Sequence, residues 1–140
     1  MENLYVDFTL INQKVGFNVV SRSNPKYPVK MDFVPPLGDN DGLAGIEALI
    51  ISFCGCVSTA VVALLKRGGK NIISYEGTAT GIRRENPLSL EKIIFEVRVK
   101  SDNIAPEDMD KILATAANIS PVWLAIKNNV EVTCEYKIIA

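Results

Sequence analysis

Residues 48–65, "ALIISFCGCVSTAVVALL", run for 18 positions without a single charge. Nothing else in the chain constrains its fold so strongly. That length reaches the lower edge of what can span a bilayer. Against a membrane span, the run holds Ser52, Ser58, Thr59, Gly55 and two cysteines, and strand-like segments flank it on both sides. A central buried helix is therefore expected, from about Ala44 to Arg67, with no membrane as partner. A helix this apolar must be covered nearly all round. The six strands of a 140-residue chain give it little cover, so a homodimer sharing the helix is expected.

The flanking segments read as follows. Leu4, Val6, Phe8 and Leu10 alternate with polar residues at the two-residue period of a half-buried strand. Asn12 to Lys14 suit a hairpin turn, and Val15, Phe17 and Val19 continue the alternation. Val29, Met31 and Phe33 make a third strand, stopped by Pro35 and Pro36. "LGDNDG" (37–42) is a loop whose Asp and Asn residues can cap the central helix. Lys66 and Arg67 suit the helix C-terminus, and Gly68 or Gly69 ends it. Strands follow at about 71–83 and 90–100, the second with Ile93, Phe95, Val97 and Val99 on one face. Pro106 opens a helix to about Asn118, and Ser120-Pro121 opens a shorter one as N-cap and first helical residue. "VEVTCEYKII" is the last strand. The order βββ-α-ββ-αα-β has no repeat or linker, which predicts one α+β domain over 1–140 rather than a parallel βαβ sheet.

Composition narrows the function classes. Net charge is −1, with no run of five or six like charges, which argues against nucleic acid as a generic partner. With three Cys, no His and no CxxC pair, no metal site is expected. The odd cysteine count and the opening "MENLYVDF", without a basic and apolar leader, suggest a cytoplasmic protein with reduced thiols.

Cys134 sits on the inward face of a strand and reads as a small core filler. Cys54 and Cys56 are two residues apart on the helix, face nearly opposite ways and cannot pair with each other. Cys54 shares a face with Glu47, Ile50, Ile51, Val57, Val61 and Leu65. Cys56 shares a smaller, more polar face with Leu49, Ser52, Phe53, Thr59, Ala60 and Ala63. For Cys56, core packing and reactivity both remain open on composition alone.

"GIEALIISFCGCVSTAVVALLKR" (45–67) resembles the central helix of the OsmC/Ohr family of thiol-dependent peroxidases. In that family an acid and an apolar run precede Gly-Cys, small residues and Val-Val, matched here by Gly55-Cys56 and Val61-Val62. "GIRRENPLSLEKIIFEVRV" (81–99) is similar to the family's strand pair, and "NISPVWLAIKNNVEVTCEYKI" (118–138) to its C-terminal helix and strand. The resemblance covers nearly the whole chain. It implies an intertwined α+β homodimer, two central helices wrapped by sheets, and active sites at the dimer interface. It also implies that Cys56 is the peroxide-reacting thiol.

The departures shape the chemistry. The family's second, resolving cysteine falls on Ser120, which cannot form an S–S bond. The usual catalytic Glu position is Ile46. Glu47 lies one residue on, at a spacing found in a less-characterised branch, and also reads as a first-turn acid favoured by the helix dipole. Where the family places an active-site Arg, Lys14 is the nearest cation and Arg22 lies in the next loop; both also read as solvated turn residues. The implied cycle has no cofactor beyond an external small thiol, such as coenzyme A or glutathione, that resolves Cys56 after an organic hydroperoxide oxidises it. The rival reading is a non-catalytic protein that holds an apolar or thiol-bearing ligand beside Cys56.

Overall fold

The computed structural model describes Met1–Ala140, which form two compact units, Met1–Ala48 and Leu49–Ala140. In the first, β1 (Val6–Leu10), β2 (Phe17–Ser21) and β3 (Val29–Met31) make an antiparallel sheet in that order. The Asn12 side chain accepts the N–H groups of Lys14 at 2.9 Å and Gly16 at 3.0 Å, which closes the expected hairpin turn. The register places Phe8 beside Val19 and Leu10 beside Phe17, so one face of the sheet is apolar. That face lies open: Phe8 is 73% exposed.

Two local expectations fail in this unit, for one reason. β3 ends at Met31 rather than running to Phe33, because the Asp32 carboxylate takes the N–H groups of Phe33, Asp39 and Asp41 and folds the chain into turns. Those hydrogen bonds, led by that from Asp41, hold its carboxyl below the usual range. The acids of 37–42 therefore do not cap the helix. Asp39 pairs with Lys14 and Asp41 with Lys30, each at 2.5 Å. The helix start is served instead by Glu47, whose carboxylate accepts the Ala44 N–H at 3.1 Å.

That helix, α1 (Gly45–Arg67), keeps Phe53, Val57, Val61 and Leu65 fully buried on one stripe of i, i+4 spacing. Each such side chain contributes about 1.5–3 kcal/mol. Gly69 adopts φ 74°, and the N–H groups of Gly69 and Lys70 turn back to the Lys66 and Leu65 carbonyls, stopping the helix.

The second unit holds a sheet of β4 (Ser74–Glu85), β5 (Leu88–Lys100) and β6 (Glu131–Ile139). β4 and β5 form an antiparallel hairpin, but β6 runs parallel to β5. The expected absence of a parallel βαβ arrangement is thus corrected for one strand pair. Two helices, α2 (Pro106–Ile119) and α3 (Pro121–Ile126), provide the crossover that parallel strands need. The class remains α+β. Ile93, Phe95, Val97 and Val99 are all buried, and Gly77, Ala79 and Gly81 on β4 pair with three of them. Small residues there let α1 lie close: a Cβ on Gly81 would stand 2.4 Å from Ile50 Cδ1.

The Phe53 ring meets Phe95 edge-on with centroids 5.5 Å apart and lies 5.4 Å from Trp123 of α3. α1 is long and apolar enough to cross a membrane, yet its stripe is fixed into this aromatic core. Its other side is open, with Ile51 54% exposed. One chain does not cover the helix all round.

Candidate functional site

The three thiols are unpaired and half-buried, and they occupy different surroundings. Cys54 turns toward β4, where it lines a cavity of about 90 Å³ with Ser58, Tyr75 and Phe95. The Tyr75 hydroxyl donates to Ser58 Oγ at 3.0 Å. Burial pushes the Cys54 thiol up. Burial raises Tyr75 as well, and negative charge on Cys54 or Cys134 would raise it further. Cys134, beside Phe95 on β6, is pushed by burial up to about 11. These two thiols stay protonated near neutral pH, and thiols are poor nucleophiles.

Cys56 lies on the opposite flank of the buried stripe, two residues or about 200° round the helix from Cys54. The face assigned to it from the sequence needs two corrections. Phe53 is not on an open polar face but wholly inside the core, and Ile51, grouped with the core-facing residues, is exposed. What remains on the face of Cys56 is Leu49 and four small residues, Ser52, Thr59, Ala60 and Ala63.

Two observations show how α2 and α3 run beside α1. Leu64 and Ile112 line one cleft, while eleven residues back along α1 and eleven forward along α2–α3, Phe53 meets Trp123. The helical segments therefore run antiparallel. Cys56 is three residues after Phe53 and Ser120, at the extended break between α2 and α3, three before Trp123.

Ser120 is 1% exposed, and its Oγ has no hydrogen-bond partner. It occupies the N-cap position of α3, but its side chain makes no capping bond, contrary to the sequence reading. Its backbone is fully used: the N–H donates to Ala116 and the carbonyl accepts from Leu124, each at 2.9 Å. A buried hydroxyl without a partner is costly and unusual.

The remaining candidates belong to the first unit, and each has a local partner. Lys14 pairs with Asp39. Arg22 forks onto both Asp7 oxygens at 2.8 and 2.9 Å and lies over the Tyr5 ring. Glu47 holds the start of α1. At the other end of α1, the α2 N-terminus is filled by Asp108, which accepts the Ala105 N–H at 2.8 Å and pairs with Lys70 at 3.1 Å.

A family model described as OsmC-like protein matches residues 38–135, spanning α1, both helices of the crossover and most of the second sheet. The chain belongs to the OsmC-like family. Solved structures of similar fold include an OsmC-like protein from Mycoplasma pneumoniae, 13% identical with a TM-score of 0.83, covering 99% of each chain. An organic hydroperoxide resistance protein from Legionella pneumophila is 11% identical with a TM-score of 0.76, covering 98% of each chain. A hypothetical protein from Aquifex aeolicus is 17% identical with a TM-score of 0.81, covering 99% of this chain and 97% of that one. Comparison with curated protein sequences finds no match.

Within this OsmC-like fold, sequence reasoning missed Tyr75, Ser58 and Trp123. Tyr75 was accessible in principle, since the period of β4 sets it on the same face as Gly77 and Ala79. Trp123 was not, because its partner Phe53 lies 70 residues away in the chain.

Proposed function

We propose that this protein reduces organic hydroperoxides through Cys56, with an external small thiol as resolving partner. What supports the reading is a half-buried thiol on α1 and a buried hydroxyl without a partner on the crossover, each three residues along the chain from the Phe53–Trp123 ring contact. In this reading the Ser120 O–H is the donor held in reserve for the sulfur of Cys56 during attack on the peroxide. The thiol and R′OOH yield Cys56–SOH and R′OH; a second thiol RSH then gives Cys56–S–S–R and water. With Ser120 in place of a thiol, a mixed disulfide is the expected product. The Legionella neighbour, named for organic hydroperoxide resistance, supports the substrate class. Three unpaired cysteines suit a reducing, cytoplasmic setting.

The reading includes a homodimer. The open apolar face around Phe8 and the open side of α1 around Ile51 call for cover, and a second copy supplies it by symmetry.

One observation favours a second reading, a non-catalytic protein that binds a thiol or apolar ligand. Lys14 and Arg22, the cations nominated to activate Cys56, are both engaged by carboxylates. Stopped-flow consumption of cumene hydroperoxide, with intact-mass detection of the coenzyme A or glutathione adduct, decides between them. The enzyme reading expects turnover that vanishes in Cys56→Ser and an adduct on Cys56 alone. An unmodified Cys56 after peroxide and thiol would leave the binding protein.

A further inference from the structure

Beyond the C-terminal end of α1 lies a cleft of about 480 Å³, lined by Leu64, Arg67, Lys70, Asp108, Lys111 and Thr115 among others. Its three cations meet one carboxylate, and that carboxylate is already committed to the Ala105 N–H and to Lys70. Arg67 makes no salt bridge, and Lys111 acts on Asp108 only through its field, without a direct contact. The Leu64, Leu65 and Lys66 carbonyls at the end of α1 accept from Gly68, Lys70 and Gly69, so none of the three is left free to face the cleft. What the cleft offers a ligand is an excess of positive charge in a concave surface, which concentrates anions. Leu64 and Ile112 add apolar walls.

The cleft shares a helix face with Cys56. Cys56, Ala60, Ala63 and Arg67 follow the spacing i, i+4, i+7, i+11, which aligns them along α1. Eleven residues of helix span about 16 Å. The two residues between the ends, Ala60 and Ala63, are small. An anion held at Arg67 and Lys111 can therefore present a group to Cys56 only through an arm of about that length. The pantetheine arm of coenzyme A equals roughly four to five extended residues, ~16 Å.

We propose that the groove between α1 and α2 recognises the resolving thiol by a phosphorylated head. Its phosphates rest on Arg67 and Lys111, its arm passes over Ala60 and Ala63, and its sulfur meets Cys56. This rests on Cys56 being the reacting thiol. The step is Cys56–SOH + RSH → Cys56–S–S–R + H₂O: the S–O bond breaks, the S–S bond forms, and the thiol proton leaves with the hydroxide as water. A second RSH releases RSSR and restores the Cys56 thiol.

Two measurements test the groove, with Arg67→Glu/Lys111→Glu as the variant; both side chains are exposed, so the fold should persist, and circular dichroism checks it. First, protein oxidised with one equivalent of cumene hydroperoxide is mixed with coenzyme A or with pantetheine, and adduct formation is timed by mass. Coenzyme A should react about tenfold faster or more, and that advantage should vanish in the double variant while pantetheine is unaffected. Equal rates for the two thiols in the native protein, or an advantage that survives the double variant, would overturn the proposal. No adduct with either thiol would sink the Cys56 reading instead. Second, Cys56→Ser protein, which cannot react, is titrated calorimetrically with desulfo-coenzyme A and with inorganic phosphate. Binding of the former that the double variant loses supports the groove. Absence of binding, or phosphate binding as tightly as desulfo-coenzyme A, counts against a thiol-bearing ligand.

Discussion

Replacing Ser120 with alanine should make the protein more stable and Cys56 less reactive. Ser120 is 1% exposed, and its Oγ contacts no donor or acceptor. Its backbone hydrogen bonds, to Ala116 and from Leu124, do not involve the side chain and survive the change. The extended backbone, φ −73° and ψ 116°, is the conformation any residue takes before proline, so Ala adopts it without strain. The energetic difference is thus the hydroxyl alone. Burying it unpaired costs about 1–3 kcal/mol on protein scales. The void left by one oxygen offsets part of that, leaving a net gain of about 1 kcal/mol, or ~3–5 °C in Tm for a domain of this size. Thermal unfolding at fixed protein concentration reads the gain directly, since association would shift Tm with concentration. On the proposed role of Ser120 as a donor to Cys56, the same variant should also slow iodoacetamide alkylation of Cys56 at pH 7. A Tm lowered by several degrees would show that the hydroxyl is hydrogen-bonded in the native protein, and the reasoning from an unpartnered group would fall.

Two further predictions rest on the second unit. Cys134, raised by burial from 9.0 to about 11, favours the protonated folded state. Its contribution is therefore intact below pH 9 and is lost as pH rises from 9 to 11, on the order of 1 kcal/mol after discounting for partial exposure. Urea titrations across that window should show a shallower decline in Cys134→Ala; identical slopes would refute the assignment. On β4, a Cβ at Gly77 would lie 2.1 Å from the Glu96 carbonyl oxygen, whereas at Gly81 the nearest atom is the mobile end of Ile50. Gly77→Ala should cost about 3 kcal/mol or more and Gly81→Ala about 1, by denaturant midpoint; the reverse order would contradict the packing described.

Much of this was legible before any coordinates. The i, i+4 spacing of Phe53, Val57, Val61 and Leu65, the two-residue period of β5 and the opposed directions of Cys54 and Cys56 are local properties of backbone geometry. Local rules failed where a distant residue made the choice. The rotation of α1 about its axis is fixed by Phe95 and Trp123, so the helical wheel grouped Phe53 with Cys56 although the ring points inward. The parallel pairing of β6 depends on where the two-helix crossover returns the chain, which no periodicity records. The acids of 37–42 looked like helix caps because Asp32, the group that organises them, carries no sequence signature.

The candidate site follows the same division. Cys56 was nominated by its Gly-Cys context and small neighbours, both local. Ser120 was nominated as a helix cap, and the structure removes that role: α3 starts without its hydroxyl. Removing it matters for the chemistry. A capping serine would have its oxygen occupied by backbone N–H groups and could stabilise nothing else. An unoccupied one, buried at the break between α2 and α3, has its hydrogen-bonding capacity in reserve. The basic cleft was invisible for a complementary reason. Arg67 read as the expected cation at a helix end, and only the antiparallel return of α2 brings Lys111 beside it. The antiparallel return of α2 and α3 beside α1 thus carries both features, since it brings Trp123, three residues from Ser120, onto Phe53 and sets Lys111 in one cleft with Arg67, about 16 Å along α1 from Cys56.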